Sequence, residues 1–230
     1  MRKMSIGLLA LSISLFSFIS PSISSDSYSH ADDNTIFVQQ GDKAVIENSS
    51  QKDDYAICTV GYVDDISHTL IFTGHCSGYK TGKNVYTSDF KKLGTVIYNH
   101  GTPETHPDND YAIVKLDKNI SVGDNIYSGD KWVSPDKVNV GDKLCSYGAK
   151  SAMKYCGYVT SVNNRYINGD INTGGISGDS GGPAWIEGKG FIGVYSAVSE
   201  GITTFTYPEN IAPKYNTKKS ILDSIKNILR

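Results

Sequence analysis

Short runs of β-branched and aromatic residues recur along most of the chain, and glycine, aspartate, asparagine and serine separate them. Apolar runs of this length between turn-forming residues are typical of β-strands. The pattern therefore predicts an all-β protein of sandwich or barrel type. The predicted strands cover Ala56–Val63, Thr69–Thr73, Gly94–Tyr98, Tyr111–Leu116, Val138–Cys145, Gly157–Val162, Gly190–Val198 and Thr203–Tyr207.

The stretch from Asp117 to Ser134 has the weakest strand pattern, because it is rich in aspartate, lysine, asparagine, glycine and serine. It predicts a linker over residues 121–134 between two β units of similar size. These units cover residues 41–120 and 135–214.

Helical periodicity occurs only at the C-terminus, where the sequence predicts a short amphipathic α-helix over 215–230. Asn216 or Thr217 can cap its start. A short helix with one apolar face is more typical of a packing element than of a membrane-binding helix. The apolar face consists of Ile221, Leu222, Ile225, Ile228 and Leu229.

The first residues have the layout of a secretory signal peptide. Two basic residues precede an apolar run from Ile6 to Ile19, and small residues follow, which predicts cleavage near Ser24–Ser25. An uncleaved anchor is the alternative, but the run is shorter than the roughly 20 apolar residues that span a bilayer. We predict a signal peptide over 1–24, a short pro-segment or linker over 25–40, and a secreted protein without a stable membrane anchor.

Composition and charge narrow the function classes. The 230 residues suffice for one large or two small hydrophobic cores, and 39% hydrophobic residues are ordinary for a globular protein. A net charge of −2 gives no polybasic surface, so we expect no nucleic-acid partner.

Four cysteines, an even number in a chain predicted to be exported, favour disulfide bonds. Three pairings are possible, and the sequence alone does not choose among them. Short loops favour Cys58–Cys76 and Cys145–Cys156, each worth about 3 kcal/mol in the chain-entropy treatment. A zinc site is the weaker alternative, because no Cys-x-x-Cys pair occurs.

The segment SGDSGGPA at 177–184 is the first candidate for chemistry. Its glycines at 178, 181 and 182 suit a turn that brings a ligand close to the main chain. If Ser180 attacks a carbonyl, the N–H groups of Gly178 and Ser180 can both stabilise the oxyanion. The alternative is a polar glycine-rich loop without chemistry.

A serine hydroxyl is a weak nucleophile until a base removes its proton, so a histidine is required. His75 follows an apolar strand in IFTGHCSG, and a disulfide at the neighbouring Cys76 would fix its backbone. A histidine that merely follows a strand is the alternative. The remaining histidines lie in polar turns, loops or the N-terminal tail, and they are His30, His68, His100 and His106.

Asp110 stands immediately before the alternating apolar run in DNDYAIVKL, so its carboxylate can lie at the edge of the core. A partly buried aspartate can accept a hydrogen bond from histidine Nδ1–H and stabilise the imidazolium. The alternative is an aspartate that only starts the strand. Asp108 is a competitor that lies farther from the strand.

Taken together, TGHC, DNDYAIVKL and GDSGGP, in the order His, Asp, Ser, resemble the motifs of the chymotrypsin-like serine peptidases. The resemblance covers about residues 41–210 and is greatest to the bacterial streptogrisin and α-lytic endopeptidase branch. GDKAVIEN at 41–48 resembles the mature start of that branch. CTVGYV at 58–63 and LCSYGAKSAMKYCG at 144–157 resemble its two disulfide segments.

The resemblance implies two antiparallel six-stranded β-barrels with an active site in the cleft between them. It implies that His75 is general base and then acid, that Asp110 orients it, and that Ser180 is the nucleophile. Gly178 and Ser180 would form the oxyanion hole. The implied reaction is hydrolysis of polypeptides through an acyl-enzyme, without cofactor or metal, and we expect a monomer.

The resemblance also places the substrate pocket at Gly174, Ser196, Ala197 and Val198. Relatives that prefer arginine or lysine carry an acid at the position of Gly174, so that preference loses its main support. Many relatives have glycine at the position of Val198, where valine narrows the pocket. We therefore expect small or medium apolar substrate side chains.

Asp179 departs from the family pattern. Its counterpart pairs with a new N-terminal amine in animal relatives and with an arginine in the bacterial branch, where this chain has Ser146. A buried carboxylate needs a partner. The candidates are Lys150, Lys154, Arg165 and a trimmed N-terminus.

Two other functions are open at this point. A catalytically silent binding or adhesion module can use the same fold, although all three motif residues are present. An esterase or other acyl-transfer enzyme can use the same residues.

Overall fold

Regular structure consists almost entirely of β-strands in residues 35–47, 54–211 and 225–226, which the computed structural model describes. The strands are β1 (Ile36–Val38), β2 (Lys43–Glu47), β3 (Tyr55–Thr59), β4 (Tyr62–Asp64), β5 (Thr69–Phe72), β6 (Asn84–Tyr86), β7 (Lys92–His100), β8 (Tyr111–Leu116), β9 (Ile120–Val122), β10 (Lys143–Gly148), β11 (Met153–Val162), β12 (Tyr166–Gly169), β13 (Pro183–Ile186), β14 (Gly190–Ser199) and β15 (Ile202–Thr206). Short 3-10 helices cover Gly74–Ser77, Pro103–Thr105 and Pro135–Lys137.

Seven strands form the first sheet in the order β3-β2-β6-β7-β8-β5-β4, and all its pairs are antiparallel. Side chains alternate between the two faces of a strand. In β8, Ala112 and Val114 pack into the core of this sheet, whereas Tyr111 and Ile113 belong to a different cluster. The apolar run of β8 is therefore buried on both faces.

The second sheet is a closed antiparallel barrel in the order β10-β11-β12-β15-β14-β13. Closure leaves no unpaired strand edge. Leu144, Ile167, Ile192 and Phe205 are fully buried inside it. The remaining strands, β1 and β9, form a parallel two-stranded sheet.

A third apolar cluster joins the two sheets. Tyr111 and Ile113 from β8 belong to it together with Phe191 and Val194 from β14. Burial of this apolar surface holds the two sheets against each other. Ile225 is buried in the same cluster.

Two disulfide bonds are present, and they are the pair favoured by the short loops. Cys58–Cys76 joins β3 to the first 3-10 helix, with the Cα atoms 6.3 Å apart. Cys145–Cys156 joins directly paired residues of β10 and β11.

The prediction of an all-β, chymotrypsin-like fold is confirmed. The closed barrel has six strands, as predicted, while the first sheet has seven and is open. The predicted helix over 215–230 lies almost entirely outside the described residues, although Ile225 and Lys226 are helical. No described helix has the length and apolar character to cross a membrane.

Candidate active site

Antiparallel pairing of β5 with β8 brings His75 and Asp110 together across 35 residues of sequence. The last paired residues are Phe72 and Ala112, so the chain leaving β5 lies beside the chain entering β8. Three residues after Phe72 comes His75, in the first 3-10 helix. Two residues before Ala112 comes Asp110. The sheet register therefore creates the pair.

Asp110 holds both the ring and the backbone of His75. The ring Nδ1 lies 2.7 Å from Asp110 Oδ2, and the backbone N–H of His75 donates to Oδ1 across 2.8 Å. A carboxylate partner on Nδ1 selects the tautomer in which Nε2 is unprotonated. Nε2 is then the nitrogen that can accept a proton.

Gly74 is required by the close packing around this carboxylate. A Cβ atom at this position would lie 2.6 Å from Asn99 Oδ1 and 3.2 Å from Asp110 Oδ1. Asn99, in β7, donates through Nδ2 to the Gly74 carbonyl and to Ser77 Oγ. It supports the histidine turn, a role that no local motif in the sequence indicates.

Ser196, predicted to line the substrate pocket, donates its hydroxyl to Asp110 Oδ2 across 2.5 Å. The register of β14 against β15 shifts between Tyr195 and Ala197. A β-bulge re-aims a side chain in this way. The second sheet thus contributes directly to the Asp110 site.

His106, for which the sequence predicts only a loop position, also contacts this carboxylate. Its Nδ1 lies 3.2 Å from Asp110 Oδ2, and its ring packs edge-on against the His75 ring at a centroid distance of 5.5 Å. The hydrogen bond to Asp110 raises the pKa of His106, and burial only partly opposes this effect. No sequence signal indicates this contact, because an i, i+4 spacing brings side chains together in helices and residues 106–109 form a turn.

The Asp110 carboxylate has no exposed surface. Burial opposes its ionisation, but hydrogen bonds from His106, His75 and Ser196 outweigh burial and hold the pKa of this carboxyl well below its usual range. A buried anion with several donors around it stabilises positive charge on a neighbouring imidazole.

The loop carrying Ser180 is fixed to the first sheet. The backbone N–H of Thr59 in β3 donates to the Ser180 carbonyl across 2.8 Å, and the Thr59 hydroxyl donates to the Gly178 carbonyl across 2.9 Å. At Gly181, where φ is +87°, a Cβ atom would lie 2.5 Å from the Thr59 carbonyl oxygen. Glycine is thus needed for this close approach.

His75 and Ser180 line one cleft of about 420 Å³. Within residues 54–211, no hydrogen bond joins Ser180 Oγ to the His75 ring, and the N–H groups of Gly178 and Ser180 donate to no protein acceptor. Catalytic hydrogen bonds are often long in unliganded sites. The cleft walls are formed by Tyr55, Ala56, Ile57, Cys58, His75, Cys76, Lys150, Ser177, Gly178 and Ser180.

The residues predicted to form the substrate pocket are not among those that line this cleft. Gly174 and Gly175 form a turn with positive φ, and a Cβ atom on Gly175 would lie 3.1 Å from Val198 Cγ1. The loop before Ser180 therefore approaches the end of β14. Ala197 is half-buried and Val198 is exposed.

Asp179 binds main-chain donors. Its Oδ1 accepts the backbone N–H groups of Lys150 and Ser151, while Oδ2 has no hydrogen-bond partner among the described residues. Two other candidate side chains are engaged elsewhere. Arg165 contacts Glu209, and Lys154 lies over the Trp185 ring.

By donor type, His75, His106 and Asp110 are the described residues that could hold a metal ion. Two imidazoles and a carboxylate suit zinc. However, both Nδ1 atoms already lie at hydrogen-bond distance from the same carboxylate oxygen. The arrangement is that of a hydrogen-bonded cluster.

Comparison with known proteins identifies the family. The family model described as Trypsin matches residues 67–221, more than half of the chain. The chain therefore belongs to the trypsin family of chymotrypsin-like serine peptidases. A peptidase domain implies polypeptide substrates.

Two similar proteins come from different strains of Mycobacterium tuberculosis, and both are described as uncharacterized. Each is 29% identical to this chain over 160 residues, which cover 64% of this chain and 71% of the relative. Their similarity assigns no activity or substrate to this chain.

Proposed function

We propose that this protein is a secreted serine endopeptidase of the streptogrisin and α-lytic branch that cleaves peptide bonds through an acyl-enzyme. The observation that carries the proposal is the bond between Asp110 and the His75 ring in a cleft that Ser180 also lines. Family membership supports the same reaction class.

In the first step, Ser180 Oγ attacks the peptide carbonyl carbon while His75 Nε2 takes the hydroxyl proton. Asp110 stabilises the resulting imidazolium through Nδ1–H. Negative charge develops on the former carbonyl oxygen. The N–H groups of Gly178 and Ser180, which donate to no protein acceptor in the described structure, would bind this oxyanion.

In the second step, the tetrahedral intermediate collapses and the C–N bond breaks. His75 Nε2–H gives its proton to the departing amine, which leaves the acyl group on Ser180. A water molecule then attacks the ester carbon while His75 takes one of its protons. Collapse of this second intermediate releases the carboxylic acid, and the proton returns to Ser180 Oγ.

For the acyl side of the substrate, we propose small or medium apolar side chains. Gly174 provides no acid to bind a basic group, and Val198, whose Cγ1 lies close to Gly175, would narrow a pocket at this turn. Competition between peptides with alanine, valine, phenylalanine or arginine before the scissile bond tests this preference.

Export is part of the proposal, and the two disulfides are consistent with an oxidising extracellular compartment. We propose a monomer that needs no cofactor. Its segments would be a signal peptide (1–24), a short pro-segment or linker (25–40), an N-terminal β unit (41–120), a linker (121–134), a C-terminal barrel (135–214) and a helix (215–230).

Mass spectrometry of the secreted protein after treatment with a serine-directed phosphonofluoridate tests the central claim. A single adduct on Ser180 that is absent from Ser180→Ala is expected, because labelling requires an activated hydroxyl. Folded, disulfide-intact protein without an adduct would favour the silent binding module. Hydrolysis of ester but not peptide substrates would indicate an esterase instead.

A further inference from the structure

Three side chains contact one buried carboxylate oxygen, Asp110 Oδ2. Ser196 Oγ lies at 2.5 Å, His75 Nδ1 at 2.7 Å and His106 Nδ1 at 3.2 Å. Two of these side chains are imidazoles whose rings contact each other edge-on. A mechanism with a single general base uses only His75, so His106 requires a separate explanation.

We propose that His106 is a positioning residue for His75: its Nδ1 contacts the same Asp110 oxygen and, once protonated, the His106 ring opposes protonation of the His75 ring. This inference rests on the proposed peptidase mechanism, in which His75 must be neutral to accept the Ser180 proton. His106 does not need to touch the substrate to have this effect.

The physical basis is competition for one negative charge. A protonated His106 compensates part of the Asp110 charge and places a second positive charge 5.5 Å from the His75 ring centre. Like charges at this distance repel, and interacting groups bind their protons in separate steps. Because His75 and His106 both contact Asp110 Oδ2, protonation of one ring is coupled to protonation of the other.

Other charged or titratable groups near this carboxylate do not provide the same effect. Burial, with the nearby Asp110 charge, raises the pKa of Tyr79, and a hydrogen bond from Thr102 lowers the pKa of Glu104. Neither group changes its charge near neutral pH. The surrounding groups of this kind are His75, Tyr79 and Glu104, and Asp108 stands two residues before Asp110 in the chain.

The pH dependence of kcat/KM in wild type and His106→Gln provides the test. Glutamine keeps a side-chain donor but carries no charge. The midpoint of the acidic limb should therefore rise by on the order of one pH unit, while the high-pH plateau changes little. His106→Lys retains a positive charge, so the midpoint of its acidic limb should lie at the wild-type pH or below.

His100→Gln is the matched control, because this neighbouring histidine contacts Tyr98 and Asn210 rather than Asp110. It should leave the acidic limb in place. A His106→Gln profile that superimposes on wild type, or an equal shift in His100→Gln, would overturn the proposal.

A second readout does not depend on turnover. In the Ser180→Ala background, NMR titration of the histidine rings should show two coupled steps. Addition of His106→Gln should move the His75 titration to higher pH. If His106→Gln shifts the His75 titration but the wild-type protein cleaves no peptide, the proposed function is refuted and the inference about His106 stands. If the protein is an active peptidase but the His75 titration does not shift, the inference is refuted and the proposed function stands.

Discussion

The side-chain hydroxyl of Thr59 donates to the Gly178 carbonyl oxygen across 2.9 Å and accepts the backbone N–H of Ala149 across 3.0 Å. Thr59 is completely buried. One residue of the first sheet thereby fixes the loop that carries Ser180 and the hairpin turn beside it. The loop that carries Ser180 is hydrogen-bonded to both sheets, through Thr59 in β3 and Tyr195 in β14.

Thr59→Val should destabilise the protein and slow the reaction of Ser180. Valine has nearly the same shape, but it leaves the Gly178 carbonyl and the Ala149 N–H without their partner. Each buried group left unsatisfied costs about 1–3 kcal/mol. Urea unfolding measures the loss of stability, and the rate of phosphonofluoridate labelling measures the displacement of Ser180.

Thr59→Ser is the control for this prediction, since it keeps the hydroxyl and removes one methyl group at a cost of about 0.8 kcal/mol. Its labelling rate should stay near wild type. Equal labelling rates in the valine and serine variants would show that the hydroxyl does not position the loop.

Asp110→Asn should reduce kcat strongly and leave KM nearly unchanged. The amide keeps the volume of the carboxylate, but it removes the negative charge and favours the wrong tautomer of His75. The loss typical of this substitution in a serine–histidine–aspartate site is about 10⁴-fold. Steady-state kinetics on a peptide substrate measure it, and a loss confined to KM would contradict the assigned role.

The family and the main site pair were accessible from sequence because their motifs are short and contiguous. TGHC places His75 directly after β5, and DNDYAIVKL places Asp110 directly before β8. The antiparallel register of these strands then brings the ends together. Strand β8 was also predicted with its observed bounds, since its apolar run is continuous.

Other parts of the site depend on contacts between distant segments. The bond from Ser196 to Asp110 spans 86 residues and requires a bulge in β14. The role of Asn99 depends on the position of the histidine turn beside β7. Short strands such as β6 and β13 were missed, because three or four residues provide too little periodicity.

The contribution of His106 to stability should depend on pH. The hydrogen bond to Asp110 raises its pKa in the folded state. A raised pKa stabilises the fold below the unfolded value of about 6.5, and the stabilisation is lost as pH rises through the folded value. Thermal unfolding of wild type and His106→Gln should therefore diverge in mildly acidic buffer and converge above neutrality. A constant difference would exclude this linkage.

Lys150 gives the cleft beside Ser180 a positive charge. The cleft walls include this exposed lysine and the exposed apolar side chains Tyr55 and Ile57, but no acidic residue. Lys150 takes part in no ion pair within the described segments. The residues predicted to form the acyl-side pocket do not line this cleft. We therefore expect the cleft to bind the substrate residues that follow the scissile bond.

Peptides with glutamate rather than glutamine shortly after the scissile bond should therefore be cleaved more efficiently. An exposed charge pair is worth up to about 1 kcal/mol, which predicts a two- to fivefold preference in kcat/KM. Lys150→Glu should reverse this preference. Lys118→Glu, an equal charge change at an exposed turn before β9, should preserve it. Each peptide is tested with a free and with an amidated C-terminus. This comparison shows whether Lys150 recognises the glutamate side chain or the C-terminal carboxylate. If the ratio of kcat/KM for glutamate and glutamine peptides is the same in Lys150→Glu and Lys118→Glu, the charge of Lys150 does not contribute to substrate preference.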